Sequence, residues 1–322
     1  MNYERLLILA CAAAFSAGST LAALIVIPAH ARLQRGIARR PARERARLLL
    51  ALRIMPFAAG VVTTLGVALA FVRYEPRHTT EPAGAVLLLT GGLALLLAVL
   101  AAWRLAVAGR QTAKCHRLVG RCGRRIDLPD FPIPAWRINA GFPVAAVSGV
   151  LRPRLIISAR ILDECSADEL LAVLRHERAH VLRYDNLVRA LVLGLPDILA
   201  LSKHGDRMMS QWHRAAEDAA DDEAVRSGAG ARMALAGALV RVGRMATEPP
   251  PRWMPALALF DGDDLEGRVR RLLDPEAALP GAGVPRHATV VLSGVLLAAI
   301  AWAVTGPRPL HLALEWAVRN LP

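Results

Sequence analysis

The segment His176-Glu177-Arg178-Ala179-His180 contains side chains that could bind and use a metal ion. An α-helix places residues four apart on one face, so both imidazoles can reach the same ion. Glu177 lies between the two histidines and could act as a general base toward an attacking water. The pattern is typical of zinc proteases, and it predicts His176 and His180 as zinc ligands and Glu177 as the catalytic residue.

A catalytic zinc site of this kind needs a third protein ligand, and a second helix is predicted to supply it. Residues 207–226 contain no Gly or Pro and are followed by Ser227-Gly228, a suitable helix end. Glu217 and Asp221 lie four apart and share a face of this helix. Two His and one Glu form a standard catalytic zinc set. We therefore predict Glu217 as the third ligand and Asp221 as an acceptor that orients a ligand histidine.

Other residues stay open as candidates at this point. His213 or Glu223 could supply the third ligand instead of Glu217. Asp185 and His213 are further candidates for positions beside the metal ligands. The acidic residues of this helix could also form only a solvated face, as charge runs on helices usually do. A third His soon after His180 is excluded, because residues 181–186 contain neither Gly nor His.

Four uncharged apolar stretches have about the length needed to cross roughly 30 Å of hydrocarbon. They are residues 6–28, 54–72, 83–103 and 288–305. Arginines crowd the segments that follow the first and third stretches, and the positive-inside rule places such segments in the cytoplasm. The chain is thus predicted as a multi-pass inner or plasma membrane protein. Its predicted parts are three spans within 1–108, a cytoplasmic domain over 109–287, and a fourth span with a short outer tail over 288–322.

The formal net charge of +13 does not by itself indicate nucleic-acid binding. The basic residues lie beside the apolar stretches, where they set topology and favour anionic lipid head groups. We expect the lipid bilayer as a partner and no direct contact with nucleic acid. Ala29-His30-Ala31 could alternatively be a signal-peptidase site, although cleavage there would leave an Arg-dense segment outside. The four cysteines contain no CxxC pair and are expected as free thiols.

The predicted fold class is a mainly α multi-pass membrane protein with a cytoplasmic α+β zincin-like metallopeptidase domain. A basic helix over 104–126 continues the third span, and a Pro-rich linker follows over 127–134. Short β-prone runs predict a small antiparallel sheet; they are residues 136–139, 144–148 and 154–158. Ser166 to Glu169 is a capping box that begins the helix with both histidines.

The rest of the domain is predicted to be helical. Residues 186–202 are apolar enough to resemble a span, but a single crossing would place His180 and Glu217 on opposite sides of the membrane. We therefore predict a buried or membrane-skimming helix that is kinked at Pro196. Further helices are predicted over 231–246 and 264–273.

Together these motifs resemble the membrane zinc metallopeptidases of the BlaR/MecR type, which are antirepressors. Their metal site, with HExxH and a Glu ligand, is of the gluzincin class. The matching residues are 148–153 (SGVLRP), HERAH with Arg183 and Asp185, Arg214 with Glu217 and Asp221, and the helix over 265–272. The resemblance implies that His176, His180 and Glu217 hold zinc and that Glu177 is the base. It also implies that the substrate binds as a strand added to the sheet, and that the partner is a transcriptional repressor cleaved in the cytoplasm.

The chain differs from the sensor receptors of that group. Those carry an extracellular penicillin-binding domain, whereas only 17 residues follow Thr305 here. Neither Lys114 nor Lys203 has a Ser three positions earlier, so direct β-lactam sensing is not expected.

Three classes of function remain open. A regulatory zinc endopeptidase is the leading interpretation, with a quality-control protease of the HtpX or CAAX-processing kind as an alternative. The short interval between His180 and Glu217 leaves little room for the spans that those proteases place there. A non-catalytic signalling protein with a structural zinc site is the second class. A transporter is the third, and the spans contain no charge to mark a path for a solute.

Overall fold

The computed structural model describes residues 1–76, 82–246 and 265–274, which form nine α-helices and four β-strands. The helices are α1 (Tyr3–Ala38), α2 (Ala42–Tyr74), α3 (Ala85–Cys122), α4 (Ala159–Glu164), α5 (Ala167–Leu182), α6 (Asp185–Leu193), α7 (Lys203–Ala224), α8 (Ala229–Met245) and α9 (Leu265–Leu273). The strands are β1 (Arg124–Ile126), β2 (Ala135–Ile138), β3 (Ala145–Ser148) and β4 (Arg154–Ser158). The predicted span over 288–305 lies outside the described residues.

The first three helices cover the first three predicted spans, except for residues 83 and 84, and all three extend beyond the predicted C-terminal ends. Each is long and apolar enough, by length and composition, to cross a membrane. Small residues let α1 and α2 approach closely, as in membrane helix pairs. A Cβ on Gly18 would lie 2.3 Å from Thr63 Oγ1, and one on Gly60 would lie 2.8 Å from Phe15 Cε2. The chain is therefore a mainly helical protein with three candidate membrane helices near its N-terminus.

The sheet is mixed, so the prediction of a purely antiparallel sheet is wrong. Its strand order is β1-β2-β4-β3, with β1–β2 and β3–β4 antiparallel and β2–β4 parallel. A turn through Gly149, whose φ is 96°, joins β3 to β4. The returning strand β4 lies between β3 and β2, antiparallel to β3 and parallel to β2. Alternating side chains show which residues are strands but do not reveal this order.

The basic helix predicted over 104–126 also ends earlier than predicted. Helix α3 ends at Cys122, and residues 124–126 form the edge strand β1 instead. Gly123 marks the change, because its extended backbone leaves the helix and allows Arg124 to pair with Arg137 of β2. The basic pattern favours a helix, but strand pairing overrides it here.

Helix α5, which carries the HExxH segment, begins at the predicted capping box. Ser166 Oγ accepts a hydrogen bond from Glu169 N at 3.3 Å, and Glu169 Oε2 accepts one from Ser166 N at 2.8 Å. The apolar face of α5 packs through Val173 into a core that includes Ile157 of β4 and Leu239 of α8. Burial of each such side chain contributes about 2 kcal/mol. This packing fixes α5 between the sheet and α8.

The segment predicted as one kinked helix over 186–202 is divided in two. Helix α6 ends at Leu193, and a 3-10 turn covers Ile198–Leu201. Pro196 lies at the break because it lacks the N–H that a continuing helix needs. Asp197 begins the 3-10 turn and forms a buried ion pair with Arg53 of α2 at 2.7 Å. Arg104 of α3 donates to the carbonyl of Ala200 at 2.9 Å. These bonds tie the segment to the long helices.

Candidate metal centre

Two turns of α5 place the predicted catalytic segment in the interior. His176 is fully buried, Glu177 is 3% exposed, and the side chain of His180 is 14% exposed. Because the two histidines are one helical turn apart, their Nε2 atoms lie 3.0 Å from each other. Two ring nitrogens at this separation can bind one ion between them.

Glu217 of α7 completes a group of three donors. Its Oε2 lies 3.4 Å from His176 Nε2, and its Oε1 lies 3.4 Å from His180 Nε2. A tetrahedral zinc ion with ligand bonds of about 2.0–2.1 Å holds its donor atoms roughly 3.3 Å apart. The distance between the two Nε2 atoms and the distance from each to its nearer Glu217 oxygen are close to that value, and one donor atom from each residue lies within 4.8 Å of the others. His176, His180 and Glu217 therefore fit a zinc ion in donor type and in approximate spacing.

A carboxylate lies behind each ligand histidine. Asp221 Oδ1 is 2.9 Å from His176 Nδ1, and Asp185 Oδ2 is 2.6 Å from His180 Nδ1. A proton held on Nδ1 leaves the Nε2 lone pair free for a metal and fixes the orientation of the ring. Burial opposes ionisation of Asp221, but the charge of Arg268 and the contact with His176 hold its pKa well below the usual range. Burial also opposes ionisation of Asp185, but its contacts with His180 and Arg183 lower its pKa, so both carboxylates stay ionised at neutral pH.

Glu177 points to the sheet rather than to the other carboxylates. Its Oε2 accepts a hydrogen bond from Val147 N of β3 at 3.2 Å. Burial raises the pKa of Glu177, although the nearby His176 and His180 act in the opposite direction. A carboxylate with a raised pKa holds a proton more strongly, as a general base near neutral pH requires.

Strand β3 forms an edge of the sheet beside α5. The N–H and carbonyl of Val147 both point away from β4: the N–H bonds Glu177, and the carbonyl accepts from Asn186 Nδ2 at 2.9 Å. The same Asn186 nitrogen donates to the carbonyl of Gly149 at 3.2 Å. The polar groups of this edge therefore lie next to the metal ligands.

The remaining candidates from the sequence occupy other positions. His213 contacts Arg189, and its Nδ1 lies 4.0 Å from Glu217 Oε1, at the rim of the donor group. Glu223 is exposed and pairs with Arg226 at 3.1 Å. The solvated-face alternative fails for Glu217 and Asp221, which are buried or nearly so, but it describes Glu223 well.

Arg268 of α9 is a contributor that sequence reasoning missed. It is 6% exposed and donates to both carboxylate oxygens of Asp221, at 2.7 and 2.9 Å. Its Nη1 also lies 3.2 Å from Glu217 Oε2. The sequence signal that could have identified Arg268 is its position in the helix over 265–272, which is part of the family resemblance. Its distance of 47 residues from Asp221 hides the pairing from any local pattern.

Replacing Arg268 with Ala should weaken both the fold and the metal site. The change leaves the buried charge of Asp221 unpaired, and such losses cost about 3–5 kcal/mol of stability. Metal affinity should fall about 10- to 100-fold, as for other residues that orient ligands. Thermal unfolding in detergent and zinc competition with a chelator measure the two effects. Arg268→Lys should restore part of the affinity. Arg270→Ala, at a position whose side chain is 79% exposed, is the control.

Zinc binding to the metal-free protein should release protons and strengthen as the pH rises. Burial disfavours the charged ring, but Glu217 and Asp185 outweigh it and raise the pKa of His180 to about 9. The pKa of His176 is also raised. Since zinc binds neutral imidazole, affinity should fall about tenfold per pH unit for each proton released below that range. Calorimetry in buffers of different ionisation enthalpy counts the protons; a pH-independent affinity would contradict this prediction.

Comparison with known families agrees with this arrangement. A family model described as BlaR1 peptidase M56 matches residues 61–270, which is more than half of the chain. No curated protein and no solved structure gives a significant match. The matched range includes α5, α7 and most of α9, and thus every residue of the metal centre described above. The chain therefore belongs to the BlaR1 peptidase M56 family, as the BlaR/MecR resemblance predicted, and has the metallopeptidase-like character of that family.

Proposed function

We propose that this protein is a zinc-dependent endopeptidase that cleaves a cytoplasmic or membrane protein. The observation that carries the proposal is the group of His176, His180 and Glu217: the two Nε2 atoms lie 3.0 Å apart, and each lies 3.4 Å from one oxygen of the Glu217 carboxylate. Glu177 follows His176 directly and precedes His180 by three residues, and burial raises the pKa of its carboxyl. Zinc is the metal of choice for two imidazoles and a carboxylate with one position left open.

The edge of β3 is the proposed place for the substrate. An extended peptide can add to such an edge by main-chain hydrogen bonds. The outward carbonyl of Val147 is bonded to Asn186 Nδ2, so a bound peptide would exchange with that side chain for the same acceptor. A peptide bound there has its backbone beside Glu177, whose Oε2 already contacts this strand.

The residues have separate tasks in hydrolysis. Bound zinc supplies Lewis acidity, which polarises a carbonyl and lowers the pKa of water. Glu177 accepts a proton from the attacking water as the new C–O bond forms. It then donates that proton to the amide nitrogen as the C–N bond breaks, which gives a carboxylic acid and an amine. Asp221 and Asp185 hold the two imidazoles in the tautomer that leaves Nε2 available.

The proposed role is regulatory, with a transcriptional repressor as the substrate. Membership of the BlaR1 peptidase M56 family supports a metallopeptidase, and the resemblance to the BlaR/MecR antirepressors is the reason for proposing a regulatory substrate. The Arg-rich segments after the first and third predicted spans support a catalytic domain on the cytoplasmic side of the cell membrane. A repressor would be accessible to the site from that side.

A comparison of protein N-termini in cells tests this function. Cells that express the wild type and cells that express Glu177→Gln should differ in a small set of new N-termini. A cleaved repressor among them would support the regulatory role, whereas cuts in many membrane proteins would favour a quality-control protease. Identical N-termini under all inducing conditions would contradict the proposal and favour a signalling protein with structural zinc.

A further inference from the structure

A cationic cavity lies where the membrane helices meet the helix that carries Glu217. It has a volume of about 390 Å³ and is lined by residues of α1, α2 and α7. Three arginines contribute to the lining: Arg35, Arg45 and Arg214. The buried side chains of Ile37 and Leu49 form an apolar floor. The cavity therefore combines an apolar base with a wall of positive charge.

Among the described residues, the lining of this cavity contains no acidic side chain. A second cavity, of about 550 Å³, also has arginines in its wall, but there Arg160 pairs with Glu164 at 3.1 Å and Arg241 pairs with Glu169 at 3.0 Å. The second cavity thus has three arginines and two carboxylates in its lining, whereas the first has three arginines and no carboxylate, so the first has the larger excess of positive charge.

Two of the arginines offer donors for such an anion. Arg35 is exposed and forms no ion pair with the described part of the chain. The Nε of Arg45 is buried and makes no hydrogen bond within the described ranges, while its Nη2 bonds Asp218 at 2.5 Å. A phosphate oxygen is a strong acceptor for guanidinium groups.

The cavity lies beside the expected membrane surface. Its lining residues on α1 and α2 fall within 34–49, between the predicted spans 6–28 and 54–72. With a rise of about 1.5 Å per residue, Arg35 lies roughly 10 Å past the first span. Its long side chain can reach back toward the head groups. The apolar floor suits the glycerol and upper acyl region of a lipid.

We infer that this cavity binds the phosphate of an anionic phospholipid head group. The bound lipid would join α1 and α2 to α7 through the arginines of the wall. Asp218, the partner of Arg45, adjoins Glu217 on α7, and Gln211 of α7 already bonds His30 of α1 at 2.8 Å. The lipid would therefore stabilise the contact that holds the Glu217 helix against the membrane helices. This inference is independent of catalysis.

The test uses the full-length chain, freed of lipid in a neutral detergent and titrated with short-chain phosphatidylglycerol. Binding is followed by native mass spectrometry and by the midpoint of thermal unfolding. One lipid per chain should bind to the wild type and raise the midpoint. Arg35→Gln with Arg45→Gln should weaken binding about 100-fold, since these two arginines offer the donors and each lost charged hydrogen bond is worth about tenfold.

A matched variant distinguishes lipid binding in the cavity from diffuse attraction of anionic lipid to the basic linker. Arg39→Gln with Arg43→Gln removes the same charge from the same linker, and both positions are exposed and outside the cavity. This control should lose no more than about fivefold. Equal losses in the two double variants would overturn the inference. Arg35→Gln alone, at an exposed position, provides a variant that folds and should lose about tenfold.

Two further ligands distinguish the source of the phosphate. Phosphatidylcholine, which has no net charge, should bind weakly and raise the midpoint little. Inorganic phosphate should bind weakly as well, because it cannot use the apolar floor. If inorganic phosphate binds as tightly as the lipid, the cavity recognises a soluble anion and the lipid assignment is wrong.

Discussion

Replacing Glu177 with Gln should abolish peptide hydrolysis while zinc remains bound. The change keeps the shape of the side chain and an oxygen that can accept from Val147 N, but it removes the group that takes the proton. Loss of a general base lowers kcat by about a hundredfold to ten-thousandfold. The metal ligands are untouched, so zinc content and affinity should stay close to those of the wild type.

Stability provides a second measurement on the same variant. Burial raises the pKa of Glu177, so the ionised carboxylate destabilises the folded state above its ordinary pKa. A neutral Gln removes that penalty, and the unfolding temperature of the metal-free protein should stay equal or rise at neutral pH. Glu266→Gln, whose side chain is 85% exposed, is a control that should not change kcat. Hydrolysis by Glu177→Gln at the wild-type rate would remove Glu177 from the role of base.

Replacing Glu217 with Ala should remove zinc from the protein. Glu217 is one of three protein ligands in the proposed site, and its two oxygens lie 3.4 Å from the two histidine nitrogens. Residues that only orient ligands are worth 10- to 100-fold in affinity, so loss of a ligand should lower affinity at least about 100-fold. Zinc content after dialysis against a weak chelator measures the effect, and hydrolysis should disappear with the metal.

The two rival ligands from the sequence make this test specific. Glu223→Ala removes the same residue type from the same helix, and Glu223 is exposed and paired with Arg226. His213→Ala removes an imidazole at the rim of the site. Both variants should keep their zinc. If Glu217→Ala retains zinc while either of these loses it, the third ligand has been misassigned.

Much of this protein could be predicted from local patterns. The capping box at Ser166 and the spacing of His176 and His180 depend only on residues within a few turns of one helix. The apolar stretches within α1, α2 and α3 are recognisable because length and the absence of charge suffice to identify them. The family followed from motifs spread along the chain, and the match over residues 61–270 confirmed it. The domain boundaries and the fourth span stay predictions.

Other features depend on which elements become neighbours. The position of β4 between β2 and β3 follows from strand pairing, and periodicity does not encode that order. The end of α3 at Cys122 reflects the pairing of the next residues with β2. In each case a long-range contact outweighs a local preference.

The sequence by itself determined the residue types available for the proposed chemistry, because the HExxH spacing places two imidazoles on one face of a helix, with a carboxylate directly after the first. Only the tertiary structure decided which side chains surround them. It placed Glu217 rather than Glu223 at the histidines, and it placed Arg268 against Asp221 across 47 residues. The physical reason is that ligand geometry and buried ion pairs depend on distances between separate elements. Those distances are set by the packing of the whole domain.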